Sequence, residues 1–220
     1  MAKIDAATTT ASGAGADSPA STSHRRALSQ QRSRDRLERI LAVATDLIAA
    51  KGSDAMKMSE VAELAEISIG SLYQYFPDKS AVIRALAERI NAASRTCIEQ
   101  ALADVRDLDG FLAAFAGLVD QYYTIFLAEP VMRDIWSATQ ADKQLRALEL
   151  AESRVCATLL TEIMTRLHPG VSSEKIAATA LLIWQLGEST MRLAISVDRA
   201  EGDALVDAYK RMTLRELAQP

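Results

Sequence analysis

Residues 59–79 constrain the fold more than any other part of this 220-residue chain. They read SEVAELAEISIGSLYQYFPDK, in which a short apolar helical segment, a polar break at residues 66–68 and a second short segment follow one another. Pro77 disfavours helical geometry at Phe76, so the second helix must be brief. Helices of about seven residues are marginal alone in water. The segment therefore predicts two short helices packed among longer ones.

The rest of the chain also favours helices. Alanine and leucine dominate, and we find no alternating strand pattern bounded by turn residues. Apolar residues at three- and four-residue steps predict an all-α fold of about nine helices. The first runs from about Ser33 to Ala50, Asp78 caps the long fourth helix, and Asp142 opens a helix that reaches Leu167.

No apolar run approaches the length of about 20 residues that spans a bilayer, and the N-terminus lacks a secretory core segment. We therefore expect a cytoplasmic protein without membrane contact.

Composition also divides the chain. Ala, Ser, Thr and Gly dominate the N-terminal end without periodic apolar residues, which predicts a disordered leader over residues 1–28. We expect a helix-turn-helix domain over residues 29–78 and a second helical domain over residues 79–220.

The net charge of -4 is unevenly distributed. Residues 1–80 carry ten basic and ten acidic side chains, so the acidic excess lies in residues 81–220. Six arginines fall within residues 25–39. Such a cluster beside a helix-turn-helix suits the neutralisation of phosphates, although a solvated arm is the alternative.

The sequence contains few of the residue patterns that are typical of enzymes. The sequence has no Gly-rich phosphate loop, no His/Cys cluster at metal-ligand spacing and only two histidines, His24 and His168. We expect no enzymatic activity, no cofactor and no metal site. Cys97 and Cys156 fall in helical patterns, which predicts reduced thiols in the core.

A first helix ending in Lys51-Gly52, the segment SEVAELAEISIGSLYQYFPDKS and a long following helix resemble the TetR family of bacterial transcriptional regulators. The resemblance is detailed over residues 30–85, and beyond them only the helical layout agrees. It implies that the front three helices bind DNA, that the remainder binds an effector and dimerises, and that the protein represses genes until the effector binds. Glu66 departs from the glycine that this family often has in the turn.

The second short helix supplies the candidate base-reading residues. A recognition helix enters the major groove with its N-terminal end, so we expect the residues at that end to face base edges. These residues are Ser68, Ile69, Gly70 and Ser71. Gln74 is the main candidate for direct readout, and Ile69 suits contact with a thymine methyl.

Other residues suit the DNA backbone. Tyr73 and Tyr75 match family positions whose phenols commonly contact phosphates. Ser59 and Lys79 lie at predicted helix starts, where phosphate is favoured, and Arg34 adds a further backbone contact. Ser59 is also the expected cap of its helix.

Gly70 costs about 1 kcal/mol in a helix interior relative to alanine. That cost fits either a close approach of the backbone to DNA or tight packing against the preceding helix.

The second domain holds many aromatic and sulfur side chains, as expected either for a cavity that accepts a hydrophobic or aromatic effector or for a plain core. The candidate pocket residues are Phe115, Tyr122, Tyr123, Phe126, Trp136, Met164, Trp184, Gln185, Glu188 and Arg192. Glu188 and Arg192 are four residues apart and could instead form a surface ion pair.

The last two helices carry broad apolar faces, and the resemblance implies a homodimer formed through them. The candidate interface residues are Ile176, Ala180, Ile183, Leu205 and Tyr209. The alternative is that these faces complete the monomer core. The predicted partners are thus a palindromic double-stranded operator, a small-molecule effector and a second copy of the chain. A helical ligand-binding or scaffold protein without operator binding is the alternative function.

Overall fold

The computed structural model describes the backbone of residues 19–220 and the side chains of residues 28–220, except those at positions 130 and 141. This part of the chain forms nine α-helices and contains no strand, which confirms the predicted all-α class. The helices are α1 (Pro19–Lys51), α2 (Met58–Leu64), α3 (Ile69–Tyr75), α4 (Lys79–Leu102), α5 (Leu108–Ala128), α6 (Pro130–Ala141), α7 (Lys143–Leu167), α8 (Ser173–Ala194) and α9 (Arg199–Ala218).

Side-chain caps fix several of these boundaries. The Asp78 carboxylate accepts a hydrogen bond of 2.8 Å from the Ala81 backbone N–H, and the Asp142 carboxylate accepts one of 2.7 Å from Gln144. Both caps were predicted, and each satisfies a backbone donor that the first turn leaves unpaired.

Helix α1 begins at Pro19, well before the predicted start near Ser33. Residues 19–28 of the predicted disordered leader are therefore helical, and residues 1–18 lie outside the described residues. Extending an existing helix gains one backbone hydrogen bond per residue without a new nucleus, and residues 25–32 consist mostly of good helix formers. The chain divides into two compact units, the first ending at Arg39 and the second spanning Ile40–Pro220.

The larger hydrophobic core of the second unit is formed by α4, α5, α7, α8 and α9. Cys156 is buried in it, Cys97 is partly buried, and both thiols are free, as predicted. Burial raises the pKa of the Cys156 thiol to about 12, which keeps it protonated and unreactive.

Helix α5 corrects one prediction. It has 21 residues with a mean hydropathy of 1.4, so it is long and apolar enough to cross a bilayer by these two criteria. Its residues Phe111, Phe115 and Val119 are buried in the core cluster, and the helix packs on α4, α6, α8 and α9. Packing of these residues in the core accounts for part of its apolar composition.

Helix α4 joins the front helices to the core. Its 24 residues extend about 36 Å at 1.5 Å per residue. It packs against α5, α6 and α7, so its N-terminal end follows α3 directly while its body contributes to the rear helices.

Candidate functional site

The turn between α2 and α3 is closed by backbone hydrogen bonds. The Ile67 N–H donates to the Ala62 carbonyl at 3.0 Å, and the Glu66 N–H donates to the Glu63 carbonyl at 3.1 Å. This pair of bonds is the Schellman arrangement that ends helices with one left-handed residue. That residue is Glu66, with φ of 55°, and it is the only non-glycine residue with positive φ among those described. The turn expected from glycine-containing relatives therefore forms with glutamate in its place.

Ser68 sets the start of α3. Its hydroxyl oxygen accepts a hydrogen bond of 3.1 Å from the Ser71 backbone N–H, so Ser68 is the N-cap of the helix. The hydroxyl hydrogen is not used by this bond and stays available to an external acceptor such as a phosphate.

Helix α3 has a buried side and an exposed side. Leu72 and Phe76 point into the protein and are 0% and 6% exposed, whereas Ile69 and Tyr73 are 42% and 49% exposed. Gln74 is exposed too. Burial of the first pair fixes the rotation of the helix, so the predicted readout residues Ile69 and Gln74 face outward together.

Gly70 lies on the same exposed side. A Cβ atom built there has no neighbour within 4 Å. The interpretation that Gly70 permits tight packing against α2 is therefore wrong. The other explanation, a close approach of this backbone to DNA, stays a prediction.

Two residues predicted to bind phosphate have different surroundings from those expected. Helix α2 starts at Met58 after Lys57, so Ser59 is not its cap; the Glu60 carboxylate instead accepts a bond of 3.3 Å from the Lys57 backbone N–H. Ser59 itself is exposed within the first turn.

The Lys79 ammonium donates hydrogen bonds to the carbonyl oxygens of Ser53 and Asp54 at 3.1 and 3.0 Å. Two of its three donors thus hold the loop before α2, which leaves one for a phosphate.

The remaining predicted DNA contacts are not changed by the structure. Ser71 and Tyr75 are partly buried on α3, and Arg34 is exposed on α1 in the first of the two units. Their contacts with DNA stay predictions.

A cleft opens among α4, α5, α6, α7 and α8, with a volume of about 480 Å³ counted out to its open mouth. Its aromatic and aliphatic side chains come from α4, α5 and α6, and its three carboxylates come from α7 and α8. The lining residues are Ala87, Ile90, Asn91, Tyr122, Phe126, Met132, Ile135, Trp136, Thr139, Glu149, Glu152 and Glu188. The rings of Phe126 and Trp136 are 4.6 Å apart between centroids, and those of Tyr122 and Phe126 are 4.9 Å apart. These packed rings give the cleft a firm apolar wall.

The carboxylates of the cleft are held by hydrogen bonds. Glu188 Oε1 accepts from the Ser153 hydroxyl at 2.8 Å and from the Trp184 indole N–H at 3.0 Å, and Oε2 accepts from Gln185 at 3.1 Å. All three donors are neutral. The predicted ion pair with Arg192 is not formed among the described residues, because the Arg192 guanidinium lies 4.8 Å from the centroid of the Trp136 ring and donates to Ser189.

The other two carboxylates differ from each other. Glu152 forms a two-point contact with the Arg95 guanidinium, with both N–O distances 2.9 Å. Glu149 accepts hydrogen bonds from the Thr139 hydroxyl and the Gln140 amide. Glu149 and Glu188 are thus bonded by neutral groups, and only Glu152 has a cation in direct contact.

Burial shifts the titration of groups in the cleft. Loss of solvent raises the pKa of Glu188 and of Glu149 above the usual value of a glutamate, against the opposing effect of their hydrogen bonds and of Arg192. The pKa of Tyr122 is also raised, first by burial and then by the charge of Glu188. The ionised forms of Glu149 and Glu188 are therefore less stable in this cleft than in water.

The predicted pocket residues fall into three groups. Tyr122, Phe126, Trp136 and Glu188 line the cleft. A second cavity of about 500 Å³ shares Tyr122 and Glu188 with the cleft and is otherwise mostly apolar; Phe115 and Trp184 line it.

Four predicted pocket residues line neither space. Tyr123 and Met164 are buried in the core, Gln185 supports Glu188, and Arg192 stacks on Trp136. The prediction treated large apolar side chains of the region as pocket residues, whereas most such side chains pack in the core.

The prediction also missed residues. Ala87, Ile90 and Asn91 come from α4, where no pocket residue was predicted. Glu149 follows Leu145 by four residues and precedes Cys156 by seven, so it interrupts the buried stripe of α7. A carboxylate at a core-facing position was the available signal for a polar wall.

The predicted dimer residues are interior. Ile176, Ala180, Ile183 and Tyr209 are at most 8% exposed within one chain, and the Tyr209 hydroxyl donates to the Ile183 carbonyl at 2.8 Å. Leu205 packs against the same core cluster. Assigning the four buried residues to an interface was therefore wrong, because the more apolar side of α8 packs against α7 and α9 within the chain. Leu205 is only partly buried, and its place in an interface stays a prediction.

Helix α8 has a second apolar side that is exposed. Leu182, Leu186 and Leu193 are 60%, 43% and 50% exposed, and their spacing of four and seven residues places them on one face. We call this the outer face of α8.

Comparison with known proteins agrees with this architecture. Residues 40–86 match the model of the bacterial regulatory proteins of the tetR family, and residues 109–220 match that of the tetracyclin repressor-like C-terminal domain. The second match alone covers half of the chain.

Individual relatives are distant. The chain is 38% identical over 72 residues to the HTH-type transcriptional repressor KstR of Rhodococcus jostii, a match that spans 31% of this chain and 34% of the relative. A TetR-family transcriptional regulator of Streptomyces coelicolor is 23% identical with a TM-score of 0.61, covering 83% of this chain and 97% of that one. The structure of RolR in complex with resorcinol is 20% identical with a TM-score of 0.60, covering 87% and 97%.

The helix-turn-helix, the rear helical domain and the two family matches support one assignment. The first of these models describes bacterial regulatory proteins. The chain belongs to the TetR family of DNA-binding transcriptional regulators.

Proposed function

We propose that this protein is a ligand-responsive repressor that binds a palindromic operator as a homodimer and leaves it when a small hydrophobic or aromatic effector enters the cleft. The domain division at residues 78 and 79 belongs to this proposal, with DNA binding before it and effector binding and dimerisation after it. A regulator of this kind acts in the cytoplasm, where operator DNA lies.

One observation carries the DNA-binding part. The outward side of α3 presents Ile69, Gly70, Tyr73 and Gln74 together, although their exposure contributes nothing to the packing of the chain. Gln74 is suited to paired hydrogen bonds with adenine, and Ile69 to a thymine methyl. Tyr73, Tyr75, Ser68 and the free donor of Lys79 supply contacts to phosphates.

The outer face of α8 supports the dimer. A monomer gains nothing by exposing Leu182, Leu186 and Leu193 in one row, whereas a second copy of α8 packed against them removes their apolar surface from water. Because a single short helix reads few bases, two-fold symmetry doubles the readout.

The cleft is suited to transmit ligand binding to α3. Its wall includes Ala87, Ile90 and Asn91 of α4 and several residues of α6. Asp134 of α6 accepts hydrogen bonds from the backbone N–H and hydroxyl of Ser53 at 3.3 and 3.0 Å. Lys79 at the start of α4 binds the same loop. A ligand that separates α4 from α6 therefore changes both supports of the loop before α2.

Release needs a difference in affinity. Moving operator occupancy from 99:1 to 1:99 requires the effector to favour the released form by about 5.5 kcal/mol. The same linkage requires operator to weaken effector binding by the same factor. RolR, a structural relative that was solved with resorcinol, gives a precedent for a small aromatic ligand on this fold.

The test uses duplexes that the full-length protein selects from random DNA. We expect Gln74→Ala to weaken binding about tenfold to a hundredfold on the selected site, and Tyr73→Ala to weaken binding on all sequences alike. Gln121→Ala, at an exposed position of α5, is the matched control and retains affinity. With roughly 6 to 10 phosphate contacts, affinity falls about 10³- to 10⁵-fold between 50 and 200 mM salt.

Wild-type affinity in both Gln74→Ala and Tyr73→Ala, or a flat salt response, would favour the alternative of a ligand-binding or scaffold protein that does not bind an operator.

A further inference from the structure

Two glutamates from different helices meet in the cleft. Glu149 and Glu188 lie on α7 and α8, and both line the same partly enclosed space. The Ser153 hydroxyl oxygen is 2.9 Å from the Glu149 carbonyl oxygen and 2.8 Å from Glu188 Oε1, so one short contact joins the two helices at this point. The repulsion between the two carboxylates contributes to the raised pKa of Glu188.

These two carboxylates have acceptor capacity left over. A carboxylate accepts about four hydrogen bonds. Glu188 receives three and Glu149 receives two from the described residues, all from neutral donors. Among the cleft-lining residues there is no lysine, arginine or histidine. The cleft therefore offers unused hydrogen-bond acceptors on two carboxylates that no cation contacts directly among the described residues.

Arg192 contacts neither carboxylate among the described residues. Its guanidinium stacks on Trp136, and one of its buried nitrogens has no hydrogen-bond partner among the described residues. It lowers the pKa of Glu149 and Glu188 only at a distance.

Helices α4, α5 and α6 contribute apolar side chains to the same cleft. These are Ile90, Phe126, Met132, Ile135 and Trp136, and aromatic ring faces also attract cations. The cleft thus combines carboxylates from α7 and α8 with aromatic and aliphatic side chains from the other three helices.

From this arrangement we propose that the effector is an amphipathic cation, with a protonated amine held by Glu149 and Glu188 and an apolar body against Trp136 and Phe126. An ammonium brings several N–H donors and a positive charge to the unused acceptors. The proposal rests on the proposed function for the location of the effector, and it narrows the effector from any hydrophobic or aromatic molecule to a positively charged one.

The experiment compares three matched sets of ligands with purified full-length protein. One set contains arylalkyl amines with one to three rings, and the other two contain the alcohols and the carboxylates of the same skeletons. Calorimetric titration at neutral pH gives the affinity of each. We expect the best amine to bind roughly 10 to 100 times more tightly than its alcohol, as hydrogen bonds to charged groups do, and its carboxylate to bind more weakly still.

Three variants locate the effect. Glu149→Gln and Glu188→Gln each reduce the preference for amine over alcohol about tenfold, while alcohol binding changes little. Glu162→Gln, an exposed glutamate of α7 outside the cleft, is the matched control and leaves the preference intact. If one of the two cleft variants does not fold, as judged by circular dichroism, the other still decides the question.

The proposal is overturned if no amine in the set binds, if an alcohol or carboxylate binds as tightly as its amine, or if both cleft variants keep the wild-type preference. Its failure is distinct from failure of the proposed function. Amine binding that leaves operator affinity unchanged would support the ligand class and contradict the release mechanism. Release of DNA by an alcohol or carboxylate alone would support the release mechanism and contradict the ligand class.

Discussion

Glu66 and Gly70 occupy backbone positions that other residue types would fill at lower free energy. Glu66 holds a left-handed conformation, with φ of 55°, and Gly70 lies in a helix where a Cβ would meet no atom. Gly70 does not improve packing, because no atom lies within 4 Å of its Cβ position. We infer that the first is tolerated because the Schellman bonds fix the turn, and that the second serves binding to DNA.

Gly70→Ala separates folding from binding. The added methyl group has open space within the chain, so we expect unchanged or increased stability, by up to about 1 kcal/mol. Operator affinity should fall at least about tenfold, because the methyl group occupies space at the DNA surface. Denaturant unfolding and fluorescence anisotropy measure the two effects.

Gly117→Ala is the matched control, since Gly117 is also helical with no atom near its Cβ but lies on α5. It should gain stability and retain DNA affinity. Wild-type affinity in Gly70→Ala would remove the explanation offered for this glycine.

Glu66→Gly tests the turn. Glycine adopts the left-handed conformation without the steric cost of a Cβ, so we expect the free energy of unfolding to rise by about 1 kcal/mol. Glu63→Gly, three residues earlier inside α2, should lower it by a similar amount. Chemical denaturation of both variants gives the comparison, and loss of stability in both would show that the turn does not carry the expected strain.

At the scale of elements, helix ends were easier to predict than helix faces. Asp78 and Asp142 were recognised as caps because a short carboxylate before an apolar repeat has a specific local role. The start of α2 was missed because the Lys57 backbone N–H donates its capping hydrogen bond to the Glu60 carboxylate, which lies inside the helix. Local chemistry is visible in sequence when the capping residue stands at the helix start, and less so when it lies inside.

Faces depend on partners that lie far away in sequence. Helix α8 is apolar on two sides, and only the fold decides that Ile176 and Ala180 enter the core while Leu186 stays outside. The same limit applies to α4, whose contribution to the cleft depends on where α6 and α7 lie. The sequence therefore predicted a pocket but misplaced several of its residues, and four of the residues that it assigned to a dimer surface lie in the core.

The contact between α6 and the loop before α2 gives a prediction for Asp134. Asp134→Ala removes the acceptor of both Ser53 bonds and should destabilise the loop by about 1 to 2 kcal/mol. Hydrogen exchange should then increase in residues 52–57 and change little in α8. Asp134→Asn retains an acceptor and is the control. Equal protection of the loop in the alanine variant would mean that this contact does not support it.

At the scale of the whole molecule, dimerisation is assigned to the outer face of α8. Leu186→Arg introduces a charge at a 43% exposed position, so the monomer should fold normally while the dimer dissociates at micromolar concentration in sedimentation velocity. Ala92→Arg, at an exposed position of α4, is the control and should remain dimeric. Ala180→Arg, at a fully buried position, should instead unfold the chain. A stable dimer of Leu186→Arg would place the interface elsewhere.

The central claim is that α3 reads a symmetric operator, and selection of binding sites from random DNA by the full-length protein tests it most directly. We predict enrichment of a palindrome whose half-sites are about one helical turn, roughly 34 Å, or a multiple of it apart. In Gln74→Ala, discrimination should be lost at one symmetric pair of positions and retained elsewhere. No enriched sequence, or an enriched site without two-fold symmetry, would contradict the account.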